Sequence, residues 1–280
     1  MKKTVAIIHF NTPELTEAAI LSLRKHGGED YEVVVFDNSA DVDFPAGDGL
    51  PERKMKARPF KKKMKGVRVI DNTKGKVIDF AAELAKYPDK NPRHALCNDW
   101  GSMKHIWTVQ KLWELLPDGF VLMESDVLIK RNIDEFFNPD FSVYGYCQRK
   151  QPYNRFDIGR MLPMLCWMNV PMLTREGARY FDHERSWMLH PSEDDKRNWY
   201  DTGACLLDDI LAKRPRLRGW HVDIRNFIVH FGSGSWHCKD ATAWLQQHKE
   251  LWEPTTEVDG TERKTASKPQ RTKRTNKKEQ

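Results

Sequence analysis

Two short apolar runs, separated by one segment of helix length, open the chain. Residues 4–10 and 31–36 are rich in Val, Ile and Phe, as in strands buried on both faces. Between them, Thr12 and Pro13 favour a helix start, with Thr as the cap, and Gly27 marks its end. Parallel strands need a crossover connection of this kind, so the segment predicts a parallel sheet covered by helices.

The same alternation continues through the first half and weakens in the second. Residues 40–66 are rich in Gly, Pro and Lys without a period, so we expect a mobile excursion from the sheet there. Helical spacing of apolar residues predicts a helix whose buried face carries Leu206, Leu207, Ile210 and Leu211. The remaining predicted elements are strands over 67–70, 120–123, 142–147 and 165–170, helices over 76–86, 101–116, 132–137 and 174–181, and an extended segment over 222–230.

The composition argues against several classes of protein. The five cysteines are widely spaced and form no CxxC pair, so neither a zinc site nor a disulfide framework is predicted. The apolar run at the start stops at His9, too early for a secretory signal, and no stretch approaches the roughly 20 apolar residues that cross a bilayer. We therefore expect a cytoplasmic protein.

Positive charge is concentrated in two segments of the chain. Residues 254–280 contain eight Lys or Arg and four Asp or Glu, which leaves +4 of the total net charge of +6 in this tail. Few large apolar residues occur there, so we expect a disordered basic tail. A second basic cluster runs from 53 to 68. Both are expected to be solvated, with contact to anionic lipid headgroups or a phosphate-bearing acceptor as the alternative.

Polar residues follow each predicted strand of the first half: Asn11-Thr12, Asp37-Asn38, Asp71-Asn72 and Glu124-Ser125-Asp126. The carboxyl ends of parallel strands lie at one edge of the sheet, and ligands bind in the crevice there. The sequence has no GxGxxG after the first strand and no GxxxxGK[ST], which argues against a dinucleotide site and a P-loop.

Three segments together carry a resemblance to a known family. They are residues 5–12 (VAIIHFNT), 32–41 (EVVVFDNSAD) and 120–126 (FVLMESD). The combination resembles the opening of GT-A glycosyltransferases of the family-two kind, over roughly the first 130 residues, with the last segment in the place of their DxD strand. The chain departs from that pattern where Glu124 replaces the first Asp, which leaves the role of Glu124 open.

The resemblance implies a Rossmann-like, mostly parallel central sheet and a set of site residues. Asp126 and the late His230 would bind a divalent cation, Mn²⁺ or Mg²⁺, that offsets the charge of the leaving nucleoside diphosphate. Gly232 and Ser233 would form a small-residue loop beside the phosphates, although such a loop also occurs as a surface turn. The other implied nucleotide-sugar contacts are Thr12, Asp37, Asn38, Asp71, Glu124 and Ser125.

An inverting transfer also needs a general base for the acceptor hydroxyl. Two aspartates fit the family pattern of an acid before a helix in the second half. Asp194 lies in Ser192-Glu193-Asp194-Asp195, and Asp201 lies directly before the helix with the buried leucines. Asp194 is equally compatible with a solvated turn and Asp201 with a helix cap, so the sequence leaves both alternatives open.

Taken together, these features predict three regions. Residues 1–130 form the nucleotide-sugar-binding half of a GT-A domain, 131–253 its acceptor-side half, and 254–280 the tail. The expected activity is metal-dependent, hexosyltransferase-like transfer from a uridine diphosphate sugar, with inversion, to a carbohydrate or lipid-linked saccharide. The tail would allow peripheral contact with an anionic membrane.

A non-catalytic protein on a degenerate GT-A scaffold is the alternative. It would act through the basic loop and tail on nucleic acid or an anionic membrane surface. The basic segments lack the interleaved aromatics of a nucleic-acid platform, so no specific nucleic-acid binding is expected.

Overall fold

A computed structural model describes residues 2–27, 30–44, 53–87, 98–148, 159–185, 202–232 and 240–254. Eleven strands occur in these ranges: β1 (Lys3–His9), β2 (Tyr31–Asp37), β3 (Val42–Phe44), β4 (Arg53–Met55), β5 (Val67–Asp71), β6 (Phe120–Glu124), β7 (Val127–Ile129), β8 (Val143–Gln148), β9 (Arg160–Met168), β10 (Gly219–His221) and β11 (Ile228–His230). The α-helices described are α1 (Pro13–Gly27), α2 (Phe80–Ala85), α3 (Asn98–Leu115), α4 (Val170–Arg175), α5 (Ala204–Ala212), α6 (Thr242–Gln247) and α7 (Lys249–Trp252).

A seven-stranded sheet forms the centre, in the order β10-β8-β9-β6-β1-β2-β5. The pairings β1–β2, β1–β6, β2–β5 and β8–β10 are parallel, whereas β9 runs antiparallel to both β6 and β8. The predicted α/β class with a mostly parallel sheet is confirmed. Two short antiparallel pairs, β7 with β11 and β3 with β4, lie outside this sheet.

Helices cover both faces of the sheet, as the alternation of side chains along β1 requires. Ala6 packs in a cluster with the apolar residues of α3, α4 and α5. Val5 and Ile7 point the other way and pack with Ala19, Ile20 and Leu23 of α1. Because β1 is buried on both sides, its apolar run is continuous rather than alternating with polar residues.

Several predicted boundaries differ from the structure. The helix predicted over 76–86 begins only at Phe80, because the Asp79 side chain caps it by accepting from the Ala81 and Ala82 amides. The strand predicted over 165–170 is longer at its start and spans Arg160–Met168. The segment 222–230 contains a turn of 3₁₀ helix, Ile224–Asn226, before β11. The helix predicted over 132–137 is likewise one 3₁₀ turn, Asp134–Phe136.

Two predictions in the second half are wrong. The helix expected over 174–181 lies earlier, as α4, because Asn169 caps it by accepting from the Met172 amide. Gly177 follows with φ of 65°, a left-handed conformation that suits glycine just after a helix end. On α5, Leu211 is 50% exposed and does not share the buried face of Leu206 and Ile210.

The excursion expected to be mobile is ordered over residues 53–66. Strand β4 pairs with β3, and the amides of Ala57, Arg58 and Phe60 then donate to the side chains of Asp41, Asn11 and Asp37. The Phe60 ring is buried in the cluster beneath α1. We call residues 53–68 the basic strap.

Residues 45–52 of the predicted excursion lie outside the described residues. The predicted disordered tail lies outside them from residue 255 onward. Within the described ranges, no helix combines the length and apolar character that crossing a bilayer requires.

Candidate active site

The turn after β6 is joined to a late strand of the chain. Strand β6 ends at Glu124, Ser125 and Asp126 form the turn, and β7 then pairs antiparallel with β11 so that His230 lies opposite Val127. The Phe231 amide donates to the Asp126 carbonyl over 3.0 Å and extends this pairing. The β7–β11 pair therefore places His230 beside the acidic strand end.

Three metal-ligand atoms meet at this point. His230 Nε2 lies 3.3 Å from Asp126 Oδ1 and 3.4 Å from Glu124 Oε2. One ligand atom from each residue lies within 4.8 Å of the other two. The Asp126 side chain is only 3% exposed, whereas those of Glu124 and His230 are 26% and 23% exposed. The cluster is thus anchored on its Asp126 side and open to solvent on the other.

The electrostatics of the cluster favour a cation. Burial raises the pKa of Glu124, and the neighbouring Asp126 charge raises it further, against the lowering effect of His230. Burial lowers the pKa of His230, but hydrogen bonds and charges from Asp126 and Glu124 outweigh it and raise the pKa to about 10. In this arrangement the single charge of the imidazolium offsets only part of the negative charge of two neighbouring carboxylates, so further positive charge would be stabilised between them.

The same donor set fits a divalent metal ion. Carboxylate oxygens suit hard cations such as Mg²⁺ and Mn²⁺, and neutral imidazole is a common further ligand. A metal ion would take the place of the His230 proton between the two carboxylates. Three protein ligands with one open side would leave coordination positions for another molecule, as in catalytic rather than structural metal sites.

Arg160 is a neighbour of the cluster that the sequence reasoning missed. Because β9 is antiparallel to β6, the first residue of β9, Arg160, lies at the same sheet edge as Glu124. The Arg160 guanidinium donates to Gln148 Oε1 over 3.0 Å. Burial raises the pKa of Glu124, and the Arg160 charge partly opposes that rise; burial lowers the pKa of His105, and the Arg160 charge adds to that lowering. No motif surrounds Arg160; only the antiparallel direction of β9 would have shown its position.

The predicted nucleotide contact Asp37 has a different environment. Its side chain is buried, with the residue only 2% exposed. Oδ1 accepts from the Ser39 amide over 2.9 Å and Oδ2 from the Phe60 amide over 2.8 Å. Both carboxylate oxygens therefore hold the backbone of the strand end and of the basic strap.

Asn38 also lies in a buried hydrogen-bond network. Its side-chain Nδ2 donates to Thr108 Oγ1 on α3, and its side-chain Oδ1 accepts from Asn72 Nδ2. Asn72 Oδ1 in turn accepts from the amides of Val77 and Ile78. The network ties the ends of β2 and β5 to α3.

His9 is a further buried polar residue at the end of β1. Its Nε2 lies 3.0 Å from the Arg58 carbonyl, which can only accept, so Nε2 carries the hydrogen. Its Nδ1 lies 2.7 Å from the Thr16 hydroxyl. Burial lowers the pKa of His9, so the neutral ring links β1, α1 and the basic strap.

Thr12 lines a cleft of about 640 Å³ between α1, the basic strap, α6 and α7. Its hydroxyl donates to the Phe10 carbonyl. The other lining residues are Glu14, Leu15, Glu17, Arg58, Asp240, Ala241, Thr242, Leu245, Gln246, Trp252 and Glu253.

Of the remaining predicted site residues, the structure describes Asp71, Ser125 and Gly232. Asp71 is exposed at the end of β5, and its carboxylate accepts from the amide and the hydroxyl of Thr73, which lower its pKa. Ser125 is buried, and Gly232 has φ of 75° with open space where a Cβ would stand. Ser233, Asp194 and Asp201 lie outside the described residues.

No protein-family model and no curated protein matches the sequence. Among solved structures, the galactosyltransferase LgtC in complex with donor and acceptor sugar analogs is 13% identical, with a TM-score of 0.45, over 79% of this chain and 74% of that chain. Mouse xyloside xylosyltransferase 1 is 12% identical, with a TM-score of 0.44, over 79% and 85% of the two chains.

A mannosyltransferase from Pyrobaculum calidifontis, solved with GDP-Man and Mn²⁺, is 10% identical, with a TM-score of 0.36, over 79% of this chain and 54% of its own. All three proteins are glycosyltransferases. At these TM-scores and identities the similarity identifies no donor, acceptor or reaction for this chain.

Proposed function

We propose that the chain is a divalent-metal-dependent glycosyltransferase that transfers a hexosyl group from a uridine diphosphate sugar to an acceptor hydroxyl. The cluster of Glu124, Asp126 and His230 carries this proposal. It lies at the carboxyl end of a central parallel strand, where α/β sheets bind their ligands.

Each residue of the cluster has a role in binding the donor. Asp126, with Glu124 and His230, would hold Mn²⁺ or Mg²⁺, which when bound offsets the negative charge that develops on a departing nucleoside diphosphate. Arg160 supplies a fixed positive charge at the same edge, within electrostatic range of Glu124. The open side of the cluster is where the diphosphate oxygens would complete the metal's coordination.

Other residues are proposed to contact the rest of the donor. Thr12 and Asp71 lie at the ends of β1 and β5, the edge that would accept the nucleoside. Gly232 lies two residues after the end of β11, so the small-residue segment that it starts with Ser233 would approach the phosphates through backbone amides. Asp37 and Asn38 would act indirectly, by fixing the backbone of that edge.

The acceptor side of the proposal rests on the sequence resemblance. Either Asp194 or Asp201 would take the proton of the acceptor hydroxyl, with inversion at the anomeric carbon. The residue after Asp201, Thr202, lies 3.5 Å from Arg160 through its hydroxyl. This contact ties the start of the α5 region to the same edge of the sheet and favours Asp201 of the two.

A thermal-shift screen over a library of nucleotide sugars, with and without Mn²⁺, tests the proposal. A uridine diphosphate hexose at 100 times its Kd is expected to stabilise the protein by about 2.7 kcal/mol, and only with Mn²⁺ present. Product analysis of the best donor then gives the anomeric configuration. A shift of the same size without Mn²⁺, or none with any nucleotide sugar, would contradict metal-dependent donor binding.

A further inference from the structure

The basic strap is the most strongly charged segment of the described chain. It contains nine Lys or Arg and no Asp or Glu between residues 53 and 68. These residues are Arg53, Lys54, Lys56, Arg58, Lys61, Lys62, Lys63, Lys65 and Arg68. The donor site described above uses none of them.

The strap presents its charges in a row. Exposed Lys54, Lys56 and Arg58 alternate with half-buried Met55 and Ala57. After the buried Phe60, the consecutive exposed Lys61, Lys62 and Lys63 precede the half-buried Met64. Residues two apart in a chain are at most about 7 Å from one another, so the exposed basic residues of the strap are closely spaced positive charges.

Acidic residues form ion pairs with part of this row and hold that part in place. Lys56 pairs with Asp41, Arg58 with Glu14, Lys62 with Glu17 and Arg68 with Glu32. Among the residues that the structure describes, Lys54, Lys61 and Lys63 form no ion pair. The result is a narrow ridge of available positive charge with carboxylates beside it.

The shape of the ridge favours a linear partner over a membrane. A planar anionic surface would meet the flanking carboxylates together with the lysines, whereas a single anionic chain can follow the ridge alone. No large apolar side chain of the described strap is exposed, so the ridge offers nothing to insert into lipid. Proteins attract such polyanions by releasing their condensed counterions.

We propose that the basic strap docks a linear acceptor that carries regularly repeated phosphate groups. This deepens the proposed transferase function, on which its acceptor role rests. The strap reaches the site edge, because Arg58 donates its amide to the Asn11 side chain at the end of β1, and β1 is paired with β6 next to Glu124. A chain held along the strap would thus approach the metal cluster from the β2 side of the sheet.

Binding of fluorescently labelled long-chain inorganic polyphosphate to the full-length protein tests the docking surface. The double variant Lys61→Gln/Lys63→Gln is expected to bind about 30-fold more weakly at low salt, since each basic residue near an anionic surface contributes roughly fivefold. The slope of log affinity against log salt is expected to fall by about 1.5, for two lost phosphate contacts.

A matched variant, Lys130→Gln/Lys249→Gln, removes the same charge from exposed positions outside the strap and is expected to bind within about twofold of wild type. Equal weakening in both double variants would overturn the proposal, because net charge alone would then explain binding. Strap-dependent binding to phosphatidylserine vesicles or to an oligonucleotide, with no binding of polyphosphate, would overturn it in favour of a membrane or a nucleic acid.

The proposals for the docking surface and for the transferase site can be rejected separately. The Lys61→Gln/Lys63→Gln variant is expected to hydrolyse the donor sugar at the wild-type rate, and Asp126→Asn to bind polyphosphate with wild-type affinity. Strap-dependent polyphosphate binding without any nucleotide-sugar turnover would support the surface and reject the acceptor role assigned to it. Nucleotide-sugar turnover together with polyphosphate binding that the Lys61→Gln/Lys63→Gln variant leaves unchanged would reject the surface alone.

Discussion

Replacing Asp126 with asparagine is expected to lower Mn²⁺-dependent hydrolysis or transfer of the donor sugar by about a thousandfold or more. Asp126 is the most buried member of the cluster, and its Oδ1 lies 3.3 Å from His230 Nε2. The neutral amide cannot supply the carboxylate charge that holds a hard cation, and the loss corresponds to about 4 kcal/mol of transition-state stabilisation. Initial rates at saturating Mn²⁺ measure the effect.

The variant Asp118→Asn provides the matched control for Asp126. Asp118 is exposed in the turn before β6, so the same chemical change there is expected to leave the rate within about twofold. Circular dichroism of both variants should match wild type. A well-folded Asp126→Asn protein with the wild-type Mn²⁺-dependent rate would show that the cluster does not hold the catalytic metal.

Replacing Asp37 with alanine is expected to lower the free energy of unfolding by about 3–5 kcal/mol. The change removes the acceptors of two buried amides, those of Ser39 and Phe60, and each unsatisfied donor costs about 1–3 kcal/mol. The strap then loses its attachment beside Phe60. Urea denaturation followed by tryptophan fluorescence measures the change.

Asp71→Ala is the natural comparison for the Asp37 variant. Asp71 lies opposite Asp37 in the register of β2 and β5, but it is exposed, and among the described residues its carboxylate accepts from Thr73 alone. Its loss is expected to cost about 1 kcal/mol or less. If the two variants proved equally stable, Asp37 would not have the structural role that its hydrogen bonds indicate.

Much of the fold could be predicted from the pattern of the sequence. The continuous apolar runs of β1 and β2 and the capped helix between them are local features, and they define a parallel pair. The direction of β9 could not be read from local sequence, because an apolar run looks the same in a parallel and an antiparallel strand. That direction decides that Arg160 lies at the site edge.

The pairing of Asp126 with His230 was predicted only through resemblance, since no local signal links two segments so distant in sequence. The antiparallel pairing of β7 with β11 brings them together. Polar residues at the strand ends were predicted to contact a nucleotide because ligands bind where the carboxyl ends of parallel strands meet. The nucleotide contact of Asp37 stays a prediction. What local sequence did not indicate is that its carboxylate also holds a neighbouring loop through the Phe60 amide.

The order of the strap could likewise not be predicted from its local sequence, because distant residues hold it in place. Its Lys, Pro and Gly content is typical of a mobile loop, yet one buried aromatic residue, Phe60, and side-chain acceptors on three other segments hold it in place. These acceptors lie at Asn11, Asp37 and Asp41, which become neighbours of the strap only after the sheet has formed.

Calorimetric titration of uridine diphosphate into the purified protein, with Mn²⁺ and then with excess chelator, measures whether the cluster supports metal-dependent nucleotide binding. We expect saturable binding with Mn²⁺, loss of that binding with chelator, and loss in Asp126→Asn but not in Asp118→Asn. Absence of binding by wild type in the presence of Mn²⁺, both for uridine diphosphate and for every other nucleoside diphosphate tested, would contradict a metal-dependent nucleotide-sugar site at Glu124, Asp126 and His230.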